Sequence, residues 1–404
     1  MHIKCTNGSP MVNTLDHLPL LPLFVCFNSW PYVARAVLKQ DELRIYHALR
    51  LHGRIRHIGL DLPPSILHKA LALMDGNFPI LEHLSLSRPF SPDSRHHLPL
   101  TLPKDFVAPN LLHLTLSGIG LPKRLRVLTS TVSLVRLTLS NIQTSSYFRP
   151  RLLVARLRSL PLLEGLTIGF SIPIPRPSTE RGLLGEKGAT ITLPSLKDLR
   201  FTGVGAYLES LVAQIRVPLL EKLSIRLFNQ IALVLPHLFH LINNTKVFKL
   251  SSAMVGFHQD EVYVSTVVHD HDLGQISFFL SVRCKPLDWQ IDCAAQIFHG
   301  LFPTLSSVDE MSLYKGIPTE MRNDAIDSAT WHDLLRSFIG VQKLYIYSPL
   351  LKELSGALQL DGVGSDPEIL PNLRSICAAC NPFTSFIDTR QVAGRPIQFE
   401  KFLW

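Results

Sequence analysis

The sequence predicts an α/β fold, an irregular leucine-rich-repeat-like solenoid (horseshoe) of short parallel strands and helices. Three observations predict it. An apolar-x-x-apolar-x-apolar phrase recurs in ten near-copies. Proline often stands two residues ahead of it. The stretches between copies often read as helices. The last two apolar positions of the phrase lie two apart, so both side chains share one face of a strand. One strand and one helix cannot close a core alone, but stacked neighbours can.

In chain order, Leu20–Phe27 reads as a strand and Tyr32–Leu51 as at most one helix. The first copy of the phrase is Ile55/Ile58/Leu60, followed by a helix over Ser65–Met74. Leu81/Leu84/Leu86 follows Pro79, and Leu111/Leu114/Leu116 follows Pro109. Leu134/Leu137/Leu139 precedes a helix over Leu152–Leu160. Leu163/Leu166/Ile168 follows Pro161, and the proline-rich and glycine-rich segment 171–192 predicts a long surface loop. Leu196/Leu199/Phe201 follows Pro194. Gly203-Val204-Gly205 predicts a strand-to-helix turn into a helix over Tyr207–Ile215. Leu220/Leu223/Ile225 follows Pro218 and leads to a helix over Ala232–Ile242. Successive copies from Ile55 to Leu220 stand 26, 30, 23, 29, 33 and 24 residues apart, close to the usual leucine-rich period of about 20–29 residues.

The array is expected to break between 251 and 304. Glu261–Val268 and Gln275–Cys284 alternate as two strands around an Asp270–Gly274 turn, a β-hairpin insertion near 255–285. Trp289–Phe302 reads as an amphipathic helix. The phrase resumes at Val308/Met311/Leu313, Val341/Leu344/Ile346 and Leu373/Ile376. The predicted organisation is an N-terminal cap or remnant over 1–50 and a repeat array over 51–250. The hairpin and helix insertion follow over 251–304, then C-terminal repeats and a cap over 305–404.

Charge is unevenly placed. Residues 1–150 hold 16 Lys/Arg against 8 Asp/Glu, whereas residues 151–404 hold 24 of each. Ten of the 17 histidines also lie in the first part. The basic residues are scattered, which reads as a solvated basic face. Six cysteines in 404 residues fit reduced thiols and a cytoplasmic or nuclear setting. No apolar run reaches the ~18 residues of a membrane span, so no membrane association is expected.

Between the apolar positions, three columns of outward residues are legible. The first is His57, His83, His113, Arg136, Gly165, Asp198 and Lys222. The second is Gly59, Ser85, Thr115, Thr138, Thr167, Arg200 and Ser224. The third is Asp61, Ser87, Ser117, Ser140, Gly169, Thr202 and Arg226. The candidate partner-binding residues on the expected concave face are therefore His57, His83, Ser85, His113, Thr115, Arg136, Thr138, Arg200, Lys222 and Arg226. Hydroxyls beside cations pair with oxyanions, so this floor suits a peptide with acidic or phosphorylated groups. The bland alternative is a polar strand face turned to water. The histidines predict stronger anion binding as pH falls through about 6.5.

No catalytic constellation is legible. A Gly-x-Ser-x-Gly elbow and a His-Glu-x-x-His motif are both missing. Gly182–Lys187 has the wrong spacing for a phosphate loop. Cys377-Ala-Ala-Cys380 lacks the second ligand pair a zinc site needs. His269–Asp272 reads as a solvated hairpin turn. Lys123-Arg124-Leu125-Arg126 is the only dense basic cluster and has no stacking aromatic beside it, so nucleic acid is not an expected partner. No catalytic residue, cofactor or metal is assigned.

Several phrases together resemble the expanded F-box and leucine-rich-repeat proteins of mushroom-forming (basidiomycete) fungi. They include Phe78–Leu86, Pro150–Leu157, Gly205–Val212, Phe228–Ile231, Leu287–Ala295, Trp331–Phe338 and Ser385–Arg395. The resemblance implies the target-binding repeat region of an F-box-type ubiquitin-ligase substrate receptor, a non-catalytic protein-interaction scaffold. In that family an N-terminal F-box of about forty-five residues docks on a Skp1-type adaptor. Leu18-Pro19 matches the dipeptide that often opens one, but the first fifty residues do not read as an F-box. The module is expected to be missing here, no adaptor-contacting residue is assigned, and a Skp1-type adaptor is expected only where an F-box lies upstream. The protein target itself stays unknown. The second reading is a free-standing leucine-rich-repeat binding protein unrelated to ubiquitin ligation, or a non-functional truncated family copy.

Overall fold

The computed structural model describes residues 2–4, 21–27, 37–88, 100–121, 126–171, 189–228, 233–245, 251–258, 260–268, 275–284, 287–316, 328–347, 350–359 and 369–401. The loop expected over 171–192, the 182–187 segment, the 269–272 turn and most of the 123–126 basic cluster lie largely outside these residues. The chain forms two compact units, residues 1–201 with 213–219 and residues 202–212 with 220–404.

In the first unit, β1 (His2–Lys4), β2 (Leu23–Phe27), β3 (Ile55–Asp61), β4 (His83–Ser87), β5 (His113–Ser117), β6 (Arg136–Ile142) and β7 (Gly165–Phe170) are consecutive parallel neighbours. The ladder thus starts two strands before the first copy of the phrase. A short pair, β8 (Ile191–Thr192) and β10 (Ile215–Arg216), is also parallel. Between them β9 (Asp198–Gly203) straddles the division of the chain.

The proline of the phrase has a local cause. Most copies of the phrase are entered through a tight turn in which the first apolar residue donates its N–H to the carbonyl three residues back. Examples are Leu81 to Phe78 at 3.3 Å, Leu111 to Ala108 at 3.2 Å, Leu163 to Leu160 at 3.2 Å and Leu373 to Leu370 at 3.1 Å. Pro79, Pro109, Pro161 and Pro371 occupy the second position of these turns, where a fixed φ near −65° is pre-set. The following N–H then bonds the neighbouring copy: Glu82 to Arg56, Leu112 to Glu82, Val135 to Leu112 and Glu164 to Val135, all at 2.8–2.9 Å. Turn and stack are therefore fixed by adjacent residues.

The apolar positions stack in register. Ile58, Leu84, Leu114, Leu137 and Leu166 form one buried row, and Leu60, Leu86, Leu116, Leu139 and Ile168 a second. Helices Lys39–Leu49, Pro64–Ala72, Arg126–Ser130 and Pro150–Leu157 connect the strands. Pro64 and Pro150 open their helices, a position whose N–H has no intrahelical acceptor anyway. The predicted helix over Ser65–Met74 is thus Pro64–Ala72, and that over Leu152–Leu160 is Pro150–Leu157.

The second unit begins with helix Gly205–Val212 and β11 (Lys222–Leu227), and continues through helix Pro236–Asn244. Next come β12 (Ser252–Phe257), β13 (Glu261–Val268) and β14 (Gln275–Arg283). The hairpin is present, but it does not interrupt the ladder. β14 runs parallel to β11, with Leu223 opposite Phe278. β13 is antiparallel to both β14 and β12, and β12 runs parallel to β15 (Glu310–Lys315). Two reversals cancel, so only the middle strand is inverted. β12 is not among the strands the sequence predicts, although Ala253, Val255 and Phe257 alternate inward. β16 (Lys343–Ile346), β17 (Ser375–Ala378) and β18 (Gln398–Lys401) complete a parallel run. Helices Leu287–Leu305, Ser328–Arg336, Leu351–Gln359 and Thr384–Val392 accompany them. No helix among the described residues is long and apolar enough to cross a membrane.

One copy departs from the pattern. At the third turn position the other copies carry Arg54, Ile80, Asn110, Ser133, Leu162, Ser195, Leu219, Ser307 and Asn372. Here it is Gly340, and a Cβ there would stand 2.5 Å from the Ser306 carbonyl oxygen and 3.0 Å from that of Val308. These are backbone atoms and cannot swing aside. Gly340→Ala is expected to cost about 1–3 kcal/mol, as overpacking typically does. Ile80→Ala, at a position 37 % exposed, is expected to change stability by less than about 0.5 kcal/mol. Urea unfolding midpoints of the two variants check this.

Candidate partner-binding surface

The face of each unit turned away from the buried rows carries the side chains available to a partner. In the first unit the register brings the predicted columns together. His57 stands opposite His83, His83 opposite His113, His113 opposite Arg136, and Arg136 opposite Gly165. Gly59, Ser85, Thr115, Thr138 and Thr167 form the second row by the same pairings, and Asp61, Ser87, Ser117 and Ser140 the third.

The first row is a stack of rings. Phe24 on β2 lies opposite His57, with centroids 5.9 Å apart and planes at 23°. His57 and His83 are 5.4 Å apart. His83 and His113 are 4.5 Å apart with planes at 7°. Two of its members lie against glycines. A Cβ on Gly59 would stand 3.2 Å from His57 Nε2, and one on Gly165 would stand 3.2 Å from Arg136 Nε. Burial, then the neighbouring His83 and Arg136, holds the His113 imidazole below its ordinary pKa. Both neighbours oppose a further positive charge.

Arg200 is differently employed. Its Nη2 lies 2.9 Å from Asp198 Oδ2 and its Nε 3.1 Å from Asp198 Oδ1. This pair neutralises a cation that the sequence reading assigns to a partner. At the strand entries, Arg56 pairs with Glu82 at 2.8 Å and Lys197 with Glu164 at 3.5 Å. Among the described residues no carboxylate forms an ion pair with Arg136.

In the second unit Lys222 and Arg226 lie on β11 beside Ser224. Arg226 sits over the Phe279 ring, 5.5 Å from its centroid. That contact belongs to an aromatic cluster missed by the sequence columns, which stop at the Leu220 copy. Tyr263 stacks with Phe279 at 5.6 Å and with His258 at 5.5 Å. His258 lies 5.7 Å from Tyr314, which meets Tyr347 edge-on at 5.1 Å. Gly256 makes room for this, because a Cβ there would fall inside the Tyr263 ring. Burial, then the Tyr314 and Tyr347 phenols, raises the Tyr263 pKa. The signal that could have found the cluster is alternation: Tyr263 stands between inward Val262 and Val264, and Phe279 between inward Phe278 and Leu280.

Other features are structural. Cys377 is buried and its thiol is 3.4 Å from Glu400 Oε2. Burial pushes it up to about 11, so it is protonated at neutral pH and a poor nucleophile. Lys343 pairs with the same Glu400 at 3.2 Å. An open, mainly apolar groove of about 1010 Å³ lies in the second unit, lined in part by Leu233, Leu235, Phe239, Ala295 and Gly300. The charged pair on its lining, Asp333 and Arg336, is 3.8 Å apart. Among the described residues no three His, Cys, Asp or Glu side chains converge as metal ligands would.

No protein-family model matches the chain, and no curated protein matches it. Two solved structures are similar at low level. The crystal structure of the TLR13–ssRNA13 complex matches with a TM-score of 0.32 and 13 % identity, over 91 % of this chain and 40 % of that one. The chain therefore spans well under half the length of that protein. The leucine-rich repeat-containing protein LegL7 from Legionella pneumophila matches with a TM-score of 0.32 and 14 % identity, over 98 % of each chain.

Proposed function

We propose that the chain is a non-catalytic protein-interaction scaffold that holds its target on the outward strand faces. One observation carries this reading: outward side chains fall into registered rows over five successive parallel strands, β3 to β7. Such rows offer a partner many aligned contacts on a rigid floor, whereas catalysis needs a few groups converging on one point. The aromatic and arginine residues of the second unit support the reading, because Tyr and Arg are enriched where binding energy concentrates. The finer assignment is the target-binding region of an F-box-type ubiquitin-ligase receptor, and it rests on the sequence phrases alone.

The test is target capture by the full chain. Tyr314→Ala and Arg136→Glu, each with an unchanged melting profile, are expected to weaken capture at least about tenfold, roughly 1.4 kcal/mol. His68→Gln, on the exposed side of a helix, is expected to leave it intact. Equal loss from all three would remove the strand faces as the binding surface. Co-expression with Skp1 separates the finer readings. Skp1 retained on the folded chain supports the receptor assignment. A folded chain that captures target but leaves Skp1 behind is a free-standing binding protein.

A further inference from the structure

We propose that the histidine ladder of the first unit is a proton-gated site for an acidic peptide segment, which binds carboxylate-first and more tightly as pH falls. This deepens the scaffold reading and rests on it.

The geometry decides what the ladder can do. His83 stacks on His113 and His57 on Phe24, while His57 and His83 lie 5.4 Å apart with planes tilted by 36°. The facing sides of His83 and His113 are closed to a ligand, and the N–H edges of these two rings are what the row has to offer. His83 and His113 are each half-buried, so those edges are within reach of solvent. Beside them runs a row of hydroxyls, Ser85, Thr115 and Thr138, two residues further along β4, β5 and β6 than His83, His113 and Arg136. Ring N–H groups and hydroxyls in adjacent rows form a donor surface fitted to oxyanions.

The charges around the ladder favour an anionic ligand. Arg136 on β6 closes one end of it. On the outward face of β3 the acid is Asp61, at the far end of the strand from His57. Glu82 and Glu164 at the strand entries are held by Arg56 and Lys197. Asp198 is held by Arg200. On β2 the outward neighbours are Phe24 and Cys26, neither of them charged at neutral pH. Among the described residues, no carboxylate forms part of the ladder itself.

At His113 the empty ladder resists protonation, since burial, the neighbouring His83 and the Arg136 guanidinium all oppose a positive charge there. The lowered His113 pKa is that resistance. A bound carboxylate reverses the balance, because it sits against the row and lowers the cost of each added charge. The complex then holds more protons than the free chain. By linkage, affinity rises as pH falls through the histidine range, near 6.5 for an unperturbed imidazole. Carboxylates stay ionised through that range. Phosphate monoesters, with a second pKa near 6, lose charge in the same window, which weakens the opposing case. Nucleic acid fits poorly as well. Bases need free aromatic faces to stack on, and the facing sides of His83 and His113 are already closed against each other.

The test uses the full chain and fluorescein-labelled hexaglutamate, read by fluorescence anisotropy at fixed ionic strength. The peptide is expected to bind about tenfold tighter near pH 5.5 than near pH 7.5, or one decade in Kd. Hexaglutamine is expected to show no such change. The His57→Gln/His83→Gln double variant is expected to lose the pH response. The single His83→Gln variant, which removes the central ring, replaces it should the double variant not fold. Arg136→Gln is expected to weaken binding at both pH values while leaving the response in place. The control pair His68→Gln/His237→Gln, away from the ladder, is expected to keep the whole response.

Three results would overturn the inference. One is a pH-independent affinity in the wild-type chain. Another is a response lost equally in the control pair, which would make it an effect of total charge. The third is an oligothymidylate six-mer that outcompetes hexaglutamate near pH 5.5. In each case target capture that still depends on Tyr314 and Arg136 would leave the scaffold reading standing.

Discussion

Replacing Glu209 by Ala is expected to destabilise the second unit by about 2–4 kcal/mol, because two backbone donors, one buried and one part-buried, lose a charged acceptor at once. Helix Pro236–Asn244 begins on a proline, and its N-cap residue Leu235 offers no side-chain acceptor. Its next two amides are satisfied from a distance. Glu209, on helix Gly205–Val212, accepts from His237 N at 2.9 Å through Oε2 and from Leu238 N at 2.9 Å through Oε1. The carboxylate therefore does the work of a capping side chain and faces the positive end of the helix dipole. It is only 3 % exposed. Burial raises its pKa above the ordinary 4.5, against the lowering pull of the two amides and of His237.

The sign of the pH effect follows from that shift. Between the ordinary value and the raised one, the folded chain keeps a proton that the unfolded chain has released. Stability contributed by Glu209 therefore falls as pH climbs from about 4.5 through the raised value, then levels off. Glu209→Gln keeps one acceptor and cannot ionise. It is expected to lose less than the alanine variant, about 1–3 kcal/mol, and to flatten that part of the stability profile. Urea unfolding of the three proteins across the acid range checks both statements. An alanine variant within about 0.5 kcal/mol of wild type would mean that water reaches the helix end and the cap is not needed.

The contrast between Glu209 and the leucines shows what the sequence makes readable. The repeat phrase encodes two things locally, a proline-assisted turn and an alternation of period two. Both are short-range, so the pattern alone places Leu84, Leu114 and Leu137 in one row. The three outward columns follow from the same register, and the strand pairings put His57, His83, His113 and Arg136 side by side. Glu209 is invisible in the sequence because its partners lie 28 and 29 residues away and belong to the backbone, which carries no residue-specific signal. The pairing of Asp198 with Arg200 escapes for another reason. The two sit in adjacent columns on one strand, and the columns run across strands rather than along them.

The hairpin illustrates a third limit. Alternation marks β13 and β14 as strands, but it cannot say which neighbours they choose. An antiparallel excursion of one strand or three reads alike in the sequence. Only the long-range pairings of β14 with β11 and β12 with β15 place the excursion inside the ladder. The aromatic cluster is lost with it. Tyr263 and Phe279 sit on strands that the sequence assigns to an insertion, so their outward positions do not align with Arg226 in the columns.

Leu114 offers the sharpest test of the stacking itself. It is fully buried, with Leu84 opposite on one side and Leu137 on the other. Leu114→Ala is expected to cost about 2–5 kcal/mol, the transfer energy of the lost carbons plus the cavity they leave. Thr115→Ala, one residue on, points away from the buried rows and is expected to fall within about 0.5 kcal/mol. The two substitutions share a strand, a turn and a backbone environment, so their difference isolates the side-chain face. Because each rung is held by its neighbours, the damage should spread in both directions. Hydrogen exchange is expected to show protection falling in β4 and β6 as well as in β5. Leu114→Asp buries a charge with no cation opposite it, and the first unit is expected not to fold at all. Similar mild losses for Leu114→Ala and Thr115→Ala would mean that period-two burial is not what holds the strands together. The columns drawn from it, the histidine ladder included, would then lose their common physical basis.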